Sequence, residues 1–180
     1  MDGVVKIRRA RVDDAKALGV IGPAAYAAAY HYLWSDCVAL AQQLDTFSTS
    51  AFLILLRRTD TRLWVAEVSG VVVGFLTMTV ESRNPITHEG RGAEISRIYL
   101  LPGSQKSGLG FRLLSAAVEH ANELGLTHVW LDVMASAVNA RNAYLRWGFS
   151  EIGSKEFSRQ VKLEYSQMIV LRMGLRICTP

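Results

Sequence analysis

The segment Leu100-Leu101-Pro102-Gly103-Ser104-Gln105-Lys106-Ser107-Gly108-Leu109-Gly110-Phe111 carries the clearest chemical signal in the chain. A strand ends, a short Gly/Pro turn follows, and a long helix begins at the glycines. Such a junction aims several unpaired backbone N–H groups at one spot, and the helix dipole adds partial positive charge there. The spot suits a phosphate group, and Gly108 and Gly110 allow a close approach because they lack a Cβ. The spacing is not that of the mononucleotide P-loop, which needs Gly-Lys-Ser/Thr after a first glycine. Nor is it the dinucleotide fingerprint, which needs a third glycine and an acid at the end of the next strand. A Gly-x-Gly alone also fits a plain helix start, so these residues by themselves leave the ligand open.

Other chemistries find little footing. His31, His88, His120 and His128 have no ligand spacing with each other or with a cysteine, so no metal is expected. No Gly-x-Ser-x-Gly nucleophile elbow is present. Base-stacking aromatics interleaved on a basic sheet are missing, so nucleic acid is not expected as a partner. Cys37 and Cys178 make neither a disulfide framework nor a metal site, which fits a reducing cytoplasm.

The elements that must hold the glycine junction follow from periodicity. Val4–Ala10 reads as a first strand, and Val12-Asp13-Asp14-Ala15 as a helix start with early acids. Ala24–Trp34, Val38–Leu44 and Ser50–Arg57 read as helices. Arg62–Val68 and Val71–Val80 are β-rich runs joined by Ser69-Gly70, a hairpin signal. Glu81–Gly92 is polar and reads as a loop, and Ala93–Leu101 as the strand leading into the junction. From Gly108 to Leu124 the period is helical, with Gly110, Leu114, Ala117, Ala121 and Leu124 on one face. His128–Val133 reads as a buried strand, Ala140–Trp147 as a short helix capped by Gly148, and Glu151–Phe157 and Ser166–Met173 as closing strands. Tyr26, Tyr30 and Trp34 share a helical face at i, i+4 and i+8, which suits core packing first and a substrate pocket second.

Composition bounds these readings. With 180 residues, half of them hydrophobic and a fifth charged, the chain can bury a full core in one domain. The net charge of +4 is scattered rather than clustered, as on an ordinary solvated surface. The longest charge-free apolar stretch, Gly19–Trp34, carries Gly22, Pro23 and His31 and is shorter than the roughly 18–20 residues of a membrane span. The N-terminus has no apolar signal core, so a cytoplasmic location without membrane contact is expected.

Gln105-x-x-Gly108-x-Gly110 after a Leu-x-Pro strand end resembles the pyrophosphate-binding motif of the GNAT superfamily of acetyl-CoA-dependent N-acetyltransferases. Ala140-x-x-Ala143-Tyr144-x-x-Trp147-Gly148-Phe149 resembles its second signature, an Ala-rich helix presenting a Tyr before a Gly-Phe turn. Ile7-Arg8-Arg9-Ala10 with Asp13-Asp14-Ala15 resembles its first strand and helix, and Val71–Thr79 with Gly74 its third strand. Glu94-Ile95-Ser96-Arg97-Ile98-Tyr99 together with Tyr144-x-x-Trp-Gly-Phe is similar, more loosely, to the polyamine N-acetyltransferase branch. The chain departs from the pattern at Ala137, where many relatives carry Asn, with Asn139 nearby as a replacement. It departs again at Ala143, where an aromatic is usual, and at Lys162–Gln167, where the polyamine branch is acidic.

The resemblance implies an α/β domain over residues 1–180, with a mixed, mostly antiparallel sheet of about six or seven strands and helices on both faces. Its fourth and fifth strands should splay apart. Acetyl-CoA is then the cosubstrate, without metal: Ile98, Tyr99, Leu100 and Leu101 pair with the pantetheine arm, and Gln105, Lys106, Ser107, Gly108, Leu109, Gly110 and Phe111 hold the pyrophosphate. A backbone N–H near Ile98 or Tyr99 would stabilise the oxyanion, and Tyr144 would protonate the departing thiolate. An amine of pKa about 10.4 arrives protonated, and Glu94 is the first candidate to accept its proton, ahead of Glu81 and Glu89. Tyr26, Tyr30 and Trp34 are the candidate acceptor-binding residues. A small amine, a polyamine among them, would sit in a pocket closed by the Ala24–Trp34 helix and the Glu81–Gly92 loop. A protein N-terminus or lysine would need an open groove, and a regulatory acyl-CoA-binding module would keep the loop without catalysis. The apolar strand Met168–Met173 could pair across a homodimer.

Overall fold

The computed structural model describes residues 4–175. Runs of alternating and fully apolar residues form seven strands of one sheet. They are β1 (Val5–Arg9), β2 (Thr61–Val68), β3 (Val71–Val80), β4 (Gly92–Leu100), β5 (His128–Met134), β6 (Ser150–Glu156) and β7 (Gln167–Gly174), in the order β1-β2-β3-β4-β5-β7-β6. Every neighbouring pair is antiparallel except β4 and β5. The β2–β3 hairpin closes through Ser69 and Gly70, both at positive φ (52° and 81°), the geometry that matches strand twist.

Helices cover both faces, as expected. On one lies α4 (Leu109–Glu123), which buries Leu113, Leu114, Ala117 and Ala121 against β2–β5. Leu124 does not join that face. It stands past the last helical residue, 44% exposed, and Leu113 takes its place. On the other face lie α1 (Ala15–Tyr30), α2 (Cys37–Asp45) and α3 (Thr49–Arg57); their Leu18, Ile21 and Phe52, with Phe47 from the turn between α2 and α3, pack with Val65 and Phe75. The short α5 (Val138–Arg146) follows β5.

The helix start expected at Val12–Ala15 and the helix expected from Ala24 are one helix, which begins at Ala15 and runs unbroken through Gly19, Gly22 and Pro23. Proline costs that helix a hydrogen bond, yet burial of Leu18, Ile21, Ala25 and Tyr26 on either side holds it. The glycines set the packing distance. A Cβ on Gly19 would stand 2.3 Å from Thr49 Oγ1, and one on Gly22 would stand 2.9 Å from Phe47. α1 ends at Tyr30, and after a single 3₁₀ turn Trp34 is extended (φ −85°, ψ 141°). A second correction concerns β7. Its two edges are filled by β5 and β6, so Met168–Met173 has no free edge for pairing across a dimer. Cys37 is exposed at the start of α2, and Cys178 lies outside the described residues.

A charged cluster ties the first strand to the first helix. Arg8 donates to both carboxylate oxygens of Asp14 (2.8 Å each) and to Glu67, while Asp14 also accepts from the Arg11 amide at 2.6 Å. The hydrogen bonds from Arg8 hold the Asp14 carboxyl below its ordinary value. A depressed pKa stabilises the fold fully above the unfolded value of about 3.9 and ceases to do so as pH falls through the folded value. Asp14→Asn should therefore lose about 1–3 kcal/mol at neutral pH. The gap to the parent in denaturant midpoint should close as pH falls below about 4.

Two irregularities of β4 prepare the site. Its pairing with β3 shifts between Thr77 and Met78, which oppose Arg97 and Ile95, so Ser96 is an extra residue. Its parallel pairing with β5 covers only Gly92–His128, Ala93–Val129 and Glu94–Trp130. Beyond Glu94 the two strands part, as the resemblance implies.

Candidate active site

The parting of β4 and β5 opens a cleft of about 830 Å³ along the outer half of β4. Its floor is Ile98, Tyr99 and Leu100, and its far wall is α5 with Asn139, Ala143, Tyr144 and Trp147. Tyr32 and Ser136 span it, their hydroxyls 3.0 Å apart.

At one end of the cleft lies the glycine junction. The Ser104 amide donates back to the Leu101 carbonyl at 3.0 Å and tightens the turn. None of the amides from Gln105 to Gly108 has a backbone acceptor among the described residues. Lys106 and Gly108 are left-handed (φ 61° and 79°), and alternation of hand turns successive N–H groups toward one concavity, a nest for an anion. The first turn of α4 adds its own unpaired amides and dipole. A Cβ built on Gly108 meets nothing within 4 Å, so glycine serves the backbone conformation there. A coenzyme A pyrophosphate fits this donor set, and the unpaired edge of β4 would offer backbone hydrogen-bonding groups to its pantetheine arm.

Of the expected cofactor residues, Ile98, Tyr99, Leu100, Gln105, Lys106, Gly108, Gly110, Phe111 and Asn139 line the cleft. Three do not. Leu101 packs into the α1–α3 core, Leu109 is buried under α4, and the Ser107 hydroxyl donates to the Ser104 carbonyl. The side chains of Leu101 and Leu109 face protein, so only their backbone could touch a ligand, whereas Ser107 is exposed with its hydroxyl hydrogen committed to Ser104.

A second, smaller space of about 160 Å³ lies between β4, β5 and the α1–α2 side. Tyr26 and Tyr30 line it, as expected, together with Leu33, Gln43 and Phe47. Trp34 is withdrawn. It is buried against Tyr26 and Phe157, with ring centroids 6.4 and 6.2 Å away. The Glu81–Gly92 loop is also absent from the lining; α2 and the turn after it close the cavity instead. Tyr30, Ile98, Tyr99 and Tyr144 line both spaces, so these four mark where cleft and cavity meet.

The phenols at that junction are held in their neutral form. Burial, and after it the neighbouring Tyr30, pushes Tyr144 well above its ordinary value of 10.0. Burial likewise raises Tyr30 to about 12 and Tyr99 well above 10.0. Tyr144 is fixed edge-on against Trp147 and Phe149, with centroids 5.5 and 5.9 Å apart.

Glu94 stands at the closed end of the splay, opposite Trp130, and lines neither space. Burial, then the charge of Asp132, raises its carboxyl above the usual range, and Ser82 Oγ lies 3.5 Å from it. The carboxylate that does line the cavity is Asp132, on the parted stretch of β5 and paired with Lys155. Sequence reading missed it, along with Arg97 and Gln43. The available signal was an acid interrupting the apolar run His128-Val129-Trp130-Leu131-Asp132-Val133-Met134.

Comparison with known proteins bears on this geometry. The sequence profile of the acetyltransferase (GNAT) family matches residues 26–149. An uncharacterized N-acetyltransferase from the pepI 3′ region of Lactobacillus delbrueckii subsp. lactis is 33% identical over 91 residues, 51% of this chain and 53% of that protein. The streptothricin acetyltransferase of Streptomyces lavendulae is 32% identical over 95 residues, 52% of this chain and 47% of that one. The chain thus spans about half the length of these curated relatives. The crystal structure of the PaiA N-acetyltransferase of Thermoplasma acidophilum, in complex with coenzyme A, superposes with a TM-score of 0.77. It covers 95% of this chain and 99% of that one at 16% identity, a likeness of fold. Sequence profile, sheet order, parted strands and glycine junction agree: this chain belongs to the GNAT family of acetyltransferases.

Proposed function

We propose that this protein transfers the acetyl group of acetyl-CoA to a primary amine of a small molecule, by direct attack with both substrates bound. The observation that carries this reading is the meeting of the two spaces at Tyr30, Ile98, Tyr99 and Tyr144. One space has the length and the anion-binding end that a nucleotide thioester needs; the other is a smaller pocket beside its reactive end.

Acetyl-CoA supplies an activated acyl carbon. The amides around Lys106 and Gly108 bind its pyrophosphate, and a backbone N–H near Ile98 or Tyr99 meets the charge that develops on the thioester oxygen. Asp132 draws in the protonated amine and accepts its first proton, which passes to solvent. The nitrogen–carbon bond forms as the carbon–sulfur bond breaks. Tyr144, kept protonated by burial, donates to the departing sulfur and is replenished as the new amide sheds its second proton. Cys37 lines neither space, which supports direct transfer over an acyl-enzyme. A cavity of about 160 Å³ is well below the roughly 300 Å³ at which drug-sized pockets begin, which favours a small acceptor over a protein chain.

Thermal melting with increasing acetyl-CoA tests the reading. At 100 times its Kd the cosubstrate should add about 2.7 kcal/mol, a Tm rise of about 5–10 °C. No rise up to millimolar acetyl-CoA in folded protein would sink it.

A further inference from the structure

The acceptor cavity is lined by one acid, Asp132, and one guanidinium, Arg97. Arg97 leaves the parted stretch of β4 and lies over the Phe47 ring, 4.4 Å from its centroid, with Phe52 at 6.0 Å. A hydrogen bond to the Thr46 carbonyl at 3.0 Å fixes it there. Among the described residues the ion pairs of Arg8, Arg58, Arg141, Lys155 and Arg172 each take a carboxylate, whereas Arg97 takes none. Burial consequently weakens its hold on its proton. A guanidinium offers five N–H donors, and the Thr46 carbonyl takes one. Gln43 Oε1, in the same lining, is buried without a hydrogen-bond partner.

A charge largely withdrawn from water without a counter-ion is costly, so natural proteins tend to pair such groups with something. The carboxylate that shares its cavity, Asp132, is paired with Lys155 instead. A polyamine would add cations beside a fixed cation. A molecule with an amine at one end and a carboxylate at the other would bring an anion to Arg97 and a second cation to Asp132, which it would share with Lys155.

Resting on the acetyl-transfer reading above, we infer that the acceptor is an amino acid or a similar small amino-carboxylate: its amine is presented to Asp132 and Tyr144, and its carboxylate is bound by Arg97. Arg97 is then the residue that sets specificity, and the enzyme's product is an N-acetylated acid. Gln43 Oε1 accepts a remaining N–H of the bound molecule.

Thiol release from acetyl-CoA tests this with the common proteinogenic L-amino acids, β-alanine and γ-aminobutyrate, the α-amino acids each compared with its carboxamide, and with spermidine as the polycation. Carboxamides have a less basic α-amine, of pKa about 8, and hence more free base at neutral pH. Chemistry alone therefore favours them, and a preference for the carboxylate reports binding. At least one amino-carboxylate should be turned over with kcat/KM tenfold or more above its amide. In Arg97→Gln the loss for the carboxylate should be roughly 30-fold or more, and the carboxylate-to-amide ratio should collapse toward one. Arg97→Lys, which keeps the charge but not the planar fork, should retain part of the preference. If Arg97→Gln fails to fold, the parent ratio and the Lys variant still decide. Equal or better turnover of amides or spermidine by the parent overturns the inference. So does thiol release from none of the carboxylates in protein that acetyl-CoA stabilises, which leaves the cosubstrate reading intact. Absence of any stabilisation by acetyl-CoA overturns that reading as well.

Discussion

Asp132→Asn is expected to lower kcat/KM by about 10²- to 10⁴-fold near neutral pH, the range of a lost general base. The residue is isosteric, so the cavity keeps its shape, and Lys155 keeps a polar partner. What disappears is the negative charge that attracts an ammonium and the lone pair that takes its proton. Bulk base can replace only the second function. The free-base fraction of an amine rises tenfold per pH unit below its own pKa, so the deficit in kcat should shrink as pH rises while a raised KM persists. Stopped-time assays of thiol release across pH separate the two. A variant within threefold of the parent at pH 7 would remove Asp132 from the reaction and return attention to Glu94, which burial leaves with a more basic carboxyl. Glu94 lines neither space, so Glu94→Gln should cost less than Asp132→Asn.

Tyr144→Phe should lower kcat by about 10- to 10³-fold and leave the Kd for acetyl-CoA nearly unchanged. The ring's edge contacts with Trp147 and Phe149 survive in Phe, so α5 stays in place and only the hydroxyl is lost. Because its pKa is pushed up, the phenol stays protonated through the whole working range. The parent should therefore show no alkaline fall in kcat from this group below about pH 10. The Phe variant should respond to the leaving thiol: the more acidic the thiol of an acetyl thioester, the smaller the penalty. Equal kcat values for parent and variant would assign the proton donor elsewhere.

How much of this was legible beforehand depended on whether the determinant was local. The glycine junction was legible because chain hand and unpaired amides are properties of a few consecutive residues, and Gly108 and Lys106 take the positive φ such a nest needs. Tyr144 was legible from its signature, which a nine-residue helix and Gly148 (φ 99°) reproduce. The start of α1 near Ala15 was legible from its early acids, but its continuity was not, because Gly22 and Pro23 are poor helix residues by local preference, while the packing against Phe47 and Thr49 that overrules it comes from far along the chain. Trp34 was placed with Tyr26 and Tyr30 by helical spacing, but the helix ends at Tyr30 and the indole turns inward. Asp132 and Arg97 were beyond reach for a different reason. Each is an ordinary charged residue on a strand until β4 and β5 separate, and that separation depends on register.

The extra residue at Ser96 makes the site a matter of counting. Ala93 and Ile95 pack toward α4, and on the other side of the bulge so do Ile98 and Leu100, an odd pair before and an even pair after. Tyr99 accordingly faces the α1–α3 core, and Arg97 lies over Phe47 with it. Were Ser96 paired regularly instead of bulged, strict alternation would carry Arg97 and Tyr99 round to the α4 side and bring Ile98 and Leu100 onto the opposite wall. The bulge thus decides whether a charged or an apolar wall faces the smaller cavity, with every residue unchanged. Over evolutionary time this strand can accept new side chains far more easily than a new register.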